Sequence, residues 1–345
     1  MSKINIFGWH SHFGENSRPS AMKAFVDPIK KYYTVRTIPI GQTSYINFNY
    51  NELKGQPIVF WAMHPPERIL NDRDYNITWV PMFDDVMWNR ISFWKSFPKH
   101  LKIIAYSKWI EDITLKLRLK TIRVKYFENP NNLKQVYWHK GNNLFYWNRS
   151  GLLNKYQLRR LCDSLEIKTL VFRDQLDYYA HKKQKIKLED RLGNTDVLHL
   201  DMQLKHVEYM EYLSNCNFFI TPRLYEGIGL TFLEALASGM VVFSPNYPTM
   251  NEYIINNYNG IYLPFVALRR HYNRFVTKLS NKNGFNLPII SVLPKKYNFD
   301  KLKSLSLQEI GNNARNTQQE GYIKWIKIVP NIIDFIRSDS KSKIL

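Results

Sequence analysis

Short runs of consecutive apolar residues alternate along the chain with longer segments whose apolar positions recur every three or four residues. In the first half the short runs are Ile4–Trp9, Ile58–Met63, Ile77–Met82, Lys102–Tyr106 and Thr121–Phe127. Turn-forming or polar residues bound them, as in His64-Pro65-Pro66 and Phe83-Asp84-Asp85. Runs of this length and flanking predict strands buried on both faces. Ala21–Lys30 and the stretch from Ser107 to about Leu119 have helical spacing. Strands alternating with helices predict a parallel sheet covered on both sides. Pro130–Asn143 is polar and turn-rich, and reads as a linker. The pattern then restarts, with strands at Asn143–Trp147, Thr169–Phe172, Val197–Leu200, Phe218–Thr221, Met240–Phe243 and Ile261–Leu263. Helices are predicted up to about Leu165, over His206–Leu213 and from about Leu230 to Ser238. Gln319–Ile336 is a terminal helix with Pro330 inside it.

The chain has 345 residues, enough for two domains. The pattern places them at 1–140 and 141–314, followed by a tail at 315–345. The expected fold class is α/β, with two Rossmann-like domains facing each other across a cleft. Apolar residues make up 44% and charged residues 23%, which excludes general disorder. No apolar run approaches the ~18 residues of a membrane helix. The N-terminus has no secretory pattern and reads as a buried first strand. Cys162 and Cys216 are too few for a disulfide framework or a cysteine-rich zinc site, and fit a reducing compartment. The net charge is +20, spread evenly, since residues 1–140 hold 21 basic and 11 acidic side chains. Such a field favours an anionic partner, either a membrane surface, a nucleic acid or a phosphate-bearing substrate. An AT-rich coding bias towards lysine produces the same composition.

The chemistry concentrates in Thr221-Pro-Arg-Leu-Tyr-Glu226-Gly227-Ile228-Gly229-Leu230-Thr-Phe-Leu-Glu234-Ala-Leu-Ala-Ser-Gly239. A buried strand is predicted to end at Thr221 and a helix to begin near Leu230. Gly227 and Gly229 let backbone amides approach a ligand closely. The free amides and dipole at the helix start, around Ile228 to Leu230, favour a diphosphate. Glu226 stands on the loop, where a carboxylate can accept hydrogen bonds from sugar hydroxyls. Glu234 lies about one turn inside the helix, placed to accept two ribose hydroxyls. These parts together suit a nucleotide-sugar.

The Glu226-x7-Glu234 spacing, continued by Glu-Ala-Leu-Ala-Ser-Gly-Met-Val-Val, Asn251-Glu252 and Asn259-Gly260, resembles the retaining GT-B glycosyltransferases of group 1. The resemblance is close over residues 214–263 and implies a sugar transferred from a nucleotide-diphosphate donor with retention of configuration, and a tail helix within 315–345 that packs back on the first domain. It implies that Arg149 and Lys155, on the loop after the strand at 143, hold the donor diphosphate. Fixed cations there stabilise the charge gained by the leaving group. The usual glycine before the Arg is replaced by Trp147-Asn148. The loop His10–Asn16, with Gly14 its one glycine, stands where the family has a glycine-rich loop. At strand ends of the first half, Asp84 and His64 are the candidates nearest the transferred sugar carbon, with Asp84 preferred by strand order. No His/Cys/Asp set has metal spacing, so neither a metal nor a cofactor is expected.

The stretch Trp88–Lys102 interleaves Trp88, Phe93, Trp94 and Phe97 with Arg90, Lys95, Lys99 and Lys102. That composition suits a membrane interface, a nucleic-acid stacking surface, or a core-facing aromatic side with a solvated basic side. The expected enzyme is a metal-independent glycosyltransferase with a glycan or polyprenyl-linked acceptor of O-antigen, capsule or lipopolysaccharide type. Its expected place is the cytoplasm, peripheral at the inner face of an anionic membrane. The alternatives are a DNA-modifying glycosyltransferase of phage type and a non-catalytic nucleic-acid- or lipid-binding protein on the same fold.

Overall fold

Two parallel sheets organise the chain. The structure is a computed structural model that describes residues 3–9, 21–41, 45, 47–87, 89–138, 141–175, 186–200, 204–267, 291–294 and 297–338. It divides into two compact units, Met1–Tyr126 with Ile323–Leu345, and Phe127–Tyr322.

The first unit contains β1 (Ile4–Trp9), α1 (Ala21–Lys30), β2 (Val35–Ile40), β3 (Pro57–Trp61), β4 (Asn76–Val80), β5 (Lys102–Ala105), α2 (Lys108–Lys116) and β6 (Lys120–Arg123). Its sheet runs β2-β1-β3-β4-β5-β6, with every pair parallel. Strands β3, β4 and β5 are buried almost throughout, as their unbroken apolar runs predict. Strand β2 escapes that reading because Arg36 and Pro39 interrupt it. It forms the sheet edge, where a proline costs no ladder bond. Helix α2 starts at Ser107, whose hydroxyl accepts the Ile110 amide at 3.2 Å.

The second unit contains β7 (Asn143–Asn148), α3 (Lys155–Ser164), β8 (Thr169–Asp174), β9 (Arg191–Leu192), β10 (Thr195–His199), α4 (His206–Ser214), β11 (Phe218–Ile220), α5 (Leu230–Ala237), β12 (Val241–Ser244) and β13 (Ile261–Tyr262). Its sheet runs β13-β12-β11-β7-β8-β10-β9, and only β9 is antiparallel. Leu144, Tyr146, Leu158, Leu161, Phe172, Phe218, Ile220 and Phe243 meet in one core between sheet and helices. Residues 127–138 pack in this unit too. The Val136 amide donates to the Ser238 carbonyl at 2.9 Å, and Trp138 meets Phe218 edge-on.

Helix α6 (Leu307–Arg337) begins twelve residues before the apolar pattern does. Its first turns present small and polar residues to the core: Gly311, Ala314, Gln318 and Gly321 are not exposed. A Cβ at Gly311 would overlap the Gly239 carbonyl and the Trp138 ring, and one at Gly321 would overlap the Phe127 ring. Close approach takes the place of large side chains there, so hydrophobic periodicity is silent. Residues of α6 up to Tyr322 group with the second unit, and those from Ile323 with the first.

Within the first unit Lys102 is fully buried on β5. Its Nζ donates to the carbonyls of Ile336 (2.5 Å) and Ser338 (2.9 Å), at the end of α6. A cation on the last carbonyls satisfies groups the helix leaves orphaned and opposes its dipole. Lys102→Met fills the space but leaves both carbonyls without this donor. We expect it to lower unfolding stability by about 2 kcal/mol and to speed amide exchange in the last turn of α6. An unchanged urea midpoint would remove this lysine as a helix anchor.

Candidate active site

In the second sheet β7 lies between β8 and β11. From β7 the chain builds outward through β8 and β10 on one side and through β11, β12 and β13 on the other. The strand order reverses between β7 and β11, and ligands of open α/β sheets bind at the carboxyl ends of strands at such a reversal. Two loops emerge there, 149–154 after β7 and 221–229 after β11. The Ser150 hydroxyl donates to the Pro222 carbonyl at 3.1 Å, which ties one loop to the other.

The second loop turns into α5 through Gly229, which has φ +81° and ψ +51°. A side chain in this left-handed conformation is strained, and a Cβ would also overlap the Phe232 ring. Gly229 therefore fixes the turn that aims the first amides of α5 out of the helix. At the far end the Gly239 amide reaches Leu236 and the Met240 amide reaches Ala235, both at 3.0 Å, the paired bonds of a Schellman stop. Glu226 is 7% exposed and Glu234 5%. Arg223 Nη1 stands 3.8 Å from a Glu226 carboxylate oxygen. The Glu226 amide reaches the Pro248 carbonyl at 3.4 Å, and the Thr249 hydroxyl reaches that of Ile228 at 3.3 Å. The loop after β12 thus braces the glutamate loop from its other side. Tyr225 is buried against Tyr247, and burial holds its phenol well above the usual range.

The first loop is ordered by Asn148. Its side-chain oxygen accepts the Gly151 amide (2.8 Å) and the Tyr146 hydroxyl (3.1 Å), and its nitrogen donates to Asp174 (2.8 Å). Asn154 caps α3 in a reciprocal pair with Gln157. Lys155 is thereby the first residue of α3, and its ammonium meets Glu189 at 3.2 Å on the surface. The Arg149 guanidinium carbon lies 4.9 Å from the centroid of the Trp147 ring. The structure brings the loops of Arg149 and Glu226 together, and Lys155 opens the helix that follows the first of them.

In the first sheet the order reverses between β1 and β3. The loop after β1, including Gly14, lies outside the described residues. His64 follows β3, and Asp84 follows β4, one strand farther from the reversal. The backbone leaving β3 is forced into φ +56° at Ala62. Tyr45 donates to the His64 carbonyl, and the His64 ring lies 5.2–5.6 Å from those of Trp79, Phe93 and Phe97. Burial among these rings lowers the imidazole pKa. Asp84 and Asp85 occupy the first turn of the short helix Phe83–Val86. Trp94 and Phe97 are buried in the core and Arg90, Lys95 and Lys99 are exposed, while Lys102 is itself buried. Trp88 lies outside the described residues. Among the described residues no three His, Cys, Asp or Glu could hold a metal ion, and no helix is long and apolar enough to cross a membrane.

Residues 177–283 match the family model for glycosyl transferases group 1. The chain is 40% identical over 63 residues to the sucrose synthase of Melioribacter roseus, 18% of this chain and 8% of that one. It is 35% identical over 66 residues to the sucrose synthase of Nitrosomonas europaea, again 8% of the relative's length. Among solved structures, the sucrose-phosphate synthase of Thermosynechococcus elongatus is similar over 98% of both chains, with TM-score 0.62 and 12% identity. Anabaena HepE in complex with UDP and glucose is similar over 97% of this chain and 100% of its own, with TM-score 0.55 and 10% identity. At these identities the likeness is one of fold, and the fold is GT-B.

Glu226 and Glu234 lie inside the stretch that matches this model, while Arg149 and Lys155 precede it. Sequence reasoning passed over Ser150, Arg223 and Arg173. Arg173 carried a signal, a charge ending the apolar run Thr169–Phe172. Ser150 carried none, because its importance is a contact between loops 72 residues apart, and Arg223, which faces Glu226, is one arginine among many in a basic chain.

Two outcomes follow from the site's local physics. Gly229→Ala should lower stability by roughly 2 kcal/mol, read as a drop in the thermal midpoint, since it adds both strain and overlap. A wild-type midpoint would contradict the assigned turn. His64 has a folded pKa below its unfolded value near 6.5, so the unfolded chain binds the proton more readily. Stability should therefore fall as pH drops through about 6.5, and His64→Phe should reduce that fall. Identical urea midpoints for both proteins between about pH 7 and pH 5 would refute it.

Proposed function

We propose that the protein is a retaining glycosyltransferase that uses a nucleotide-diphosphate sugar and needs no metal. The observation that carries this is the meeting of the Arg149 and Glu226 loops at the β7–β11 reversal, tied by Ser150 and Pro222. Arg149, Lys155 and the start of α5 stabilise the departing nucleoside diphosphate, whose charge grows as the bond to the sugar breaks. Glu226 accepts hydrogen bonds from the donor sugar and Glu234 from the ribose. Both carboxylates are nearly enclosed, where a hydrogen bond from a sugar hydroxyl is electrostatically stronger than in water. The anomeric carbon–phosphate oxygen bond breaks while the acceptor oxygen bonds that carbon on the same face. The acceptor's proton passes to the leaving phosphate oxygen, so no protein nucleophile is required. His64, at the reversal of the first sheet, and Asp84 are the candidates for the acceptor side.

The relatives' descriptions, sucrose synthase and a neighbour crystallised with UDP and glucose, support a nucleotide-sugar donor. The acceptor in this reading is a glycan or polyprenyl-linked glycan at the cytoplasmic face of an anionic membrane. The net charge of +20 supports that placement, and with Trp94 and Phe97 buried the attraction rests on lysines and arginines rather than on inserted rings.

The test is a thermal-shift panel of UDP-, GDP-, ADP- and CMP-sugars, with and without EDTA, on wild type and Glu226→Ala. One donor should raise the wild-type midpoint, keep its effect in EDTA, and lose most of it in the variant. Stabilisation by duplex DNA or anionic vesicles alone would replace this reading with a binding protein on the same fold.

A further inference from the structure

Neither Trp147 nor Arg173 takes part in the proposed reaction, yet both are 2% exposed at the ends of β7 and β8. They are directly paired in the register of the two strands, so their side chains share a face of the sheet. The Arg173 guanidinium carbon lies 4.7 Å from the Trp147 ring centroid, and that of Arg149 lies 4.9 Å from the same centroid. One indole thus meets two guanidiniums, one enclosed on β8 and one on the loop after β7. The next register pair is Asn148 with Asp174, whose side chains are hydrogen-bonded at 2.8 Å, and the Gln175 amide bonds the Asn148 carbonyl at 3.0 Å. Strand β8 therefore fixes the backbone of the loop base through Asn148 and the ring beneath Arg149 through Arg173.

A buried guanidinium is costly to desolvate, and the face of the Trp147 ring holds it at smaller cost than an aliphatic neighbour would. A free arginine on a loop also loses up to about 2 kcal/mol of rotamer entropy when it engages an anion. A ring already held in place removes part of that loss, because the guanidinium rests on it before the anion arrives.

We infer that Arg173 is a positioning residue that, through the Trp147 ring, stations Arg149 for the donor diphosphate. The inference rests on the glycosyltransferase reading above, which assigns Arg149 that anion. The family resemblance does not supply it, because it concerns the departure of this chain from the family at Trp147-Asn148.

A binding cycle on the full chain tests it, with inorganic diphosphate and UDP as probes in isothermal titration. Arg149→Ala should weaken both probes about tenfold, and Arg173→Leu nearly as much. In the Arg149→Ala background Arg173→Leu should add little, whereas with Lys155→Ala its effect should multiply in full. Damage that merely loosened the sheet would multiply equally with both cations. If Arg173→Leu does not fold, Trp147→Phe takes its place, with about a threefold loss that vanishes once Arg149 is gone. Wild-type affinity in Arg173→Leu or Trp147→Phe, or equal multiplication with Arg149 and Lys155, overturns the inference while leaving the glycosyltransferase reading intact. A wild type that binds neither probe overturns that reading, and the inference falls with it.

Discussion

The pairing of β7 with β11 is the constraint on which the second unit depends. Phe218, Phe219 and Ile220 register with Leu144, Phe145 and Tyr146, although more than seventy residues separate the strands. That register sets two loops side by side at the carboxyl edge. It also stacks Phe145 on Phe219 and brings Tyr146 into the core that α3 covers. A slip of one residue would turn every one of these side chains to the opposite face. The rigid part of the site is therefore a consequence of core packing, and the loops inherit their separation from the strand spacing.

Much of this was legible in the sequence because parallel sheets buried on both faces write themselves as unbroken apolar runs. Ile4–Trp9, Lys102–Ala105 and Thr169–Asp174 follow from such runs, and so does the Leu230–Ala237 helix with its glycine stop. What escaped was whatever is stabilised without large apolar side chains. Strand β2 carries Arg36 and Pro39 on an edge, and the first turns of α6 touch their neighbours through Gly311 and Gly321. The composition of Trp88–Lys102 left three environments open. Burial of Trp94 and Phe97 resolves the rings into the core, with His64 among them.

The site divides in the same way. Glu226, Gly229 and Glu234 stand in one continuous stretch, where their spacing inside a strand, glycine loop and helix makes them candidates. Arg149 was visible through a loop resemblance. The contacts that give these residues their geometry were not visible. Ser150 to Pro222, Glu226 to Pro248 and Thr249 to Ile228 each join segments distant in sequence, and each uses a backbone carbonyl that carries no residue identity. A sequence reports such a bond only at its donor, and a serine or threonine on a loop is too common to stand out.

Two buried cations show how the same costly element serves opposite ends. Lys102 sits inside the first unit with its ammonium on the final carbonyls of α6, and its charge is spent on a helix end. Arg173 sits inside the second unit beside a ring that faces a second arginine. An ammonium is a compact, strongly hydrated point charge suited to converging carbonyls. A guanidinium is planar and less hydrated, and it lies against an aromatic face at smaller cost. Exchanging the two would cost stability at both places, because a lysine beside Trp147 could not spread over the ring and an arginine at β5 would bring a larger planar head into an enclosed space that one ammonium fills. The choice of cation at each position follows from the acceptor it meets, and at Arg173 that acceptor is the support of the loop on which the proposed chemistry depends.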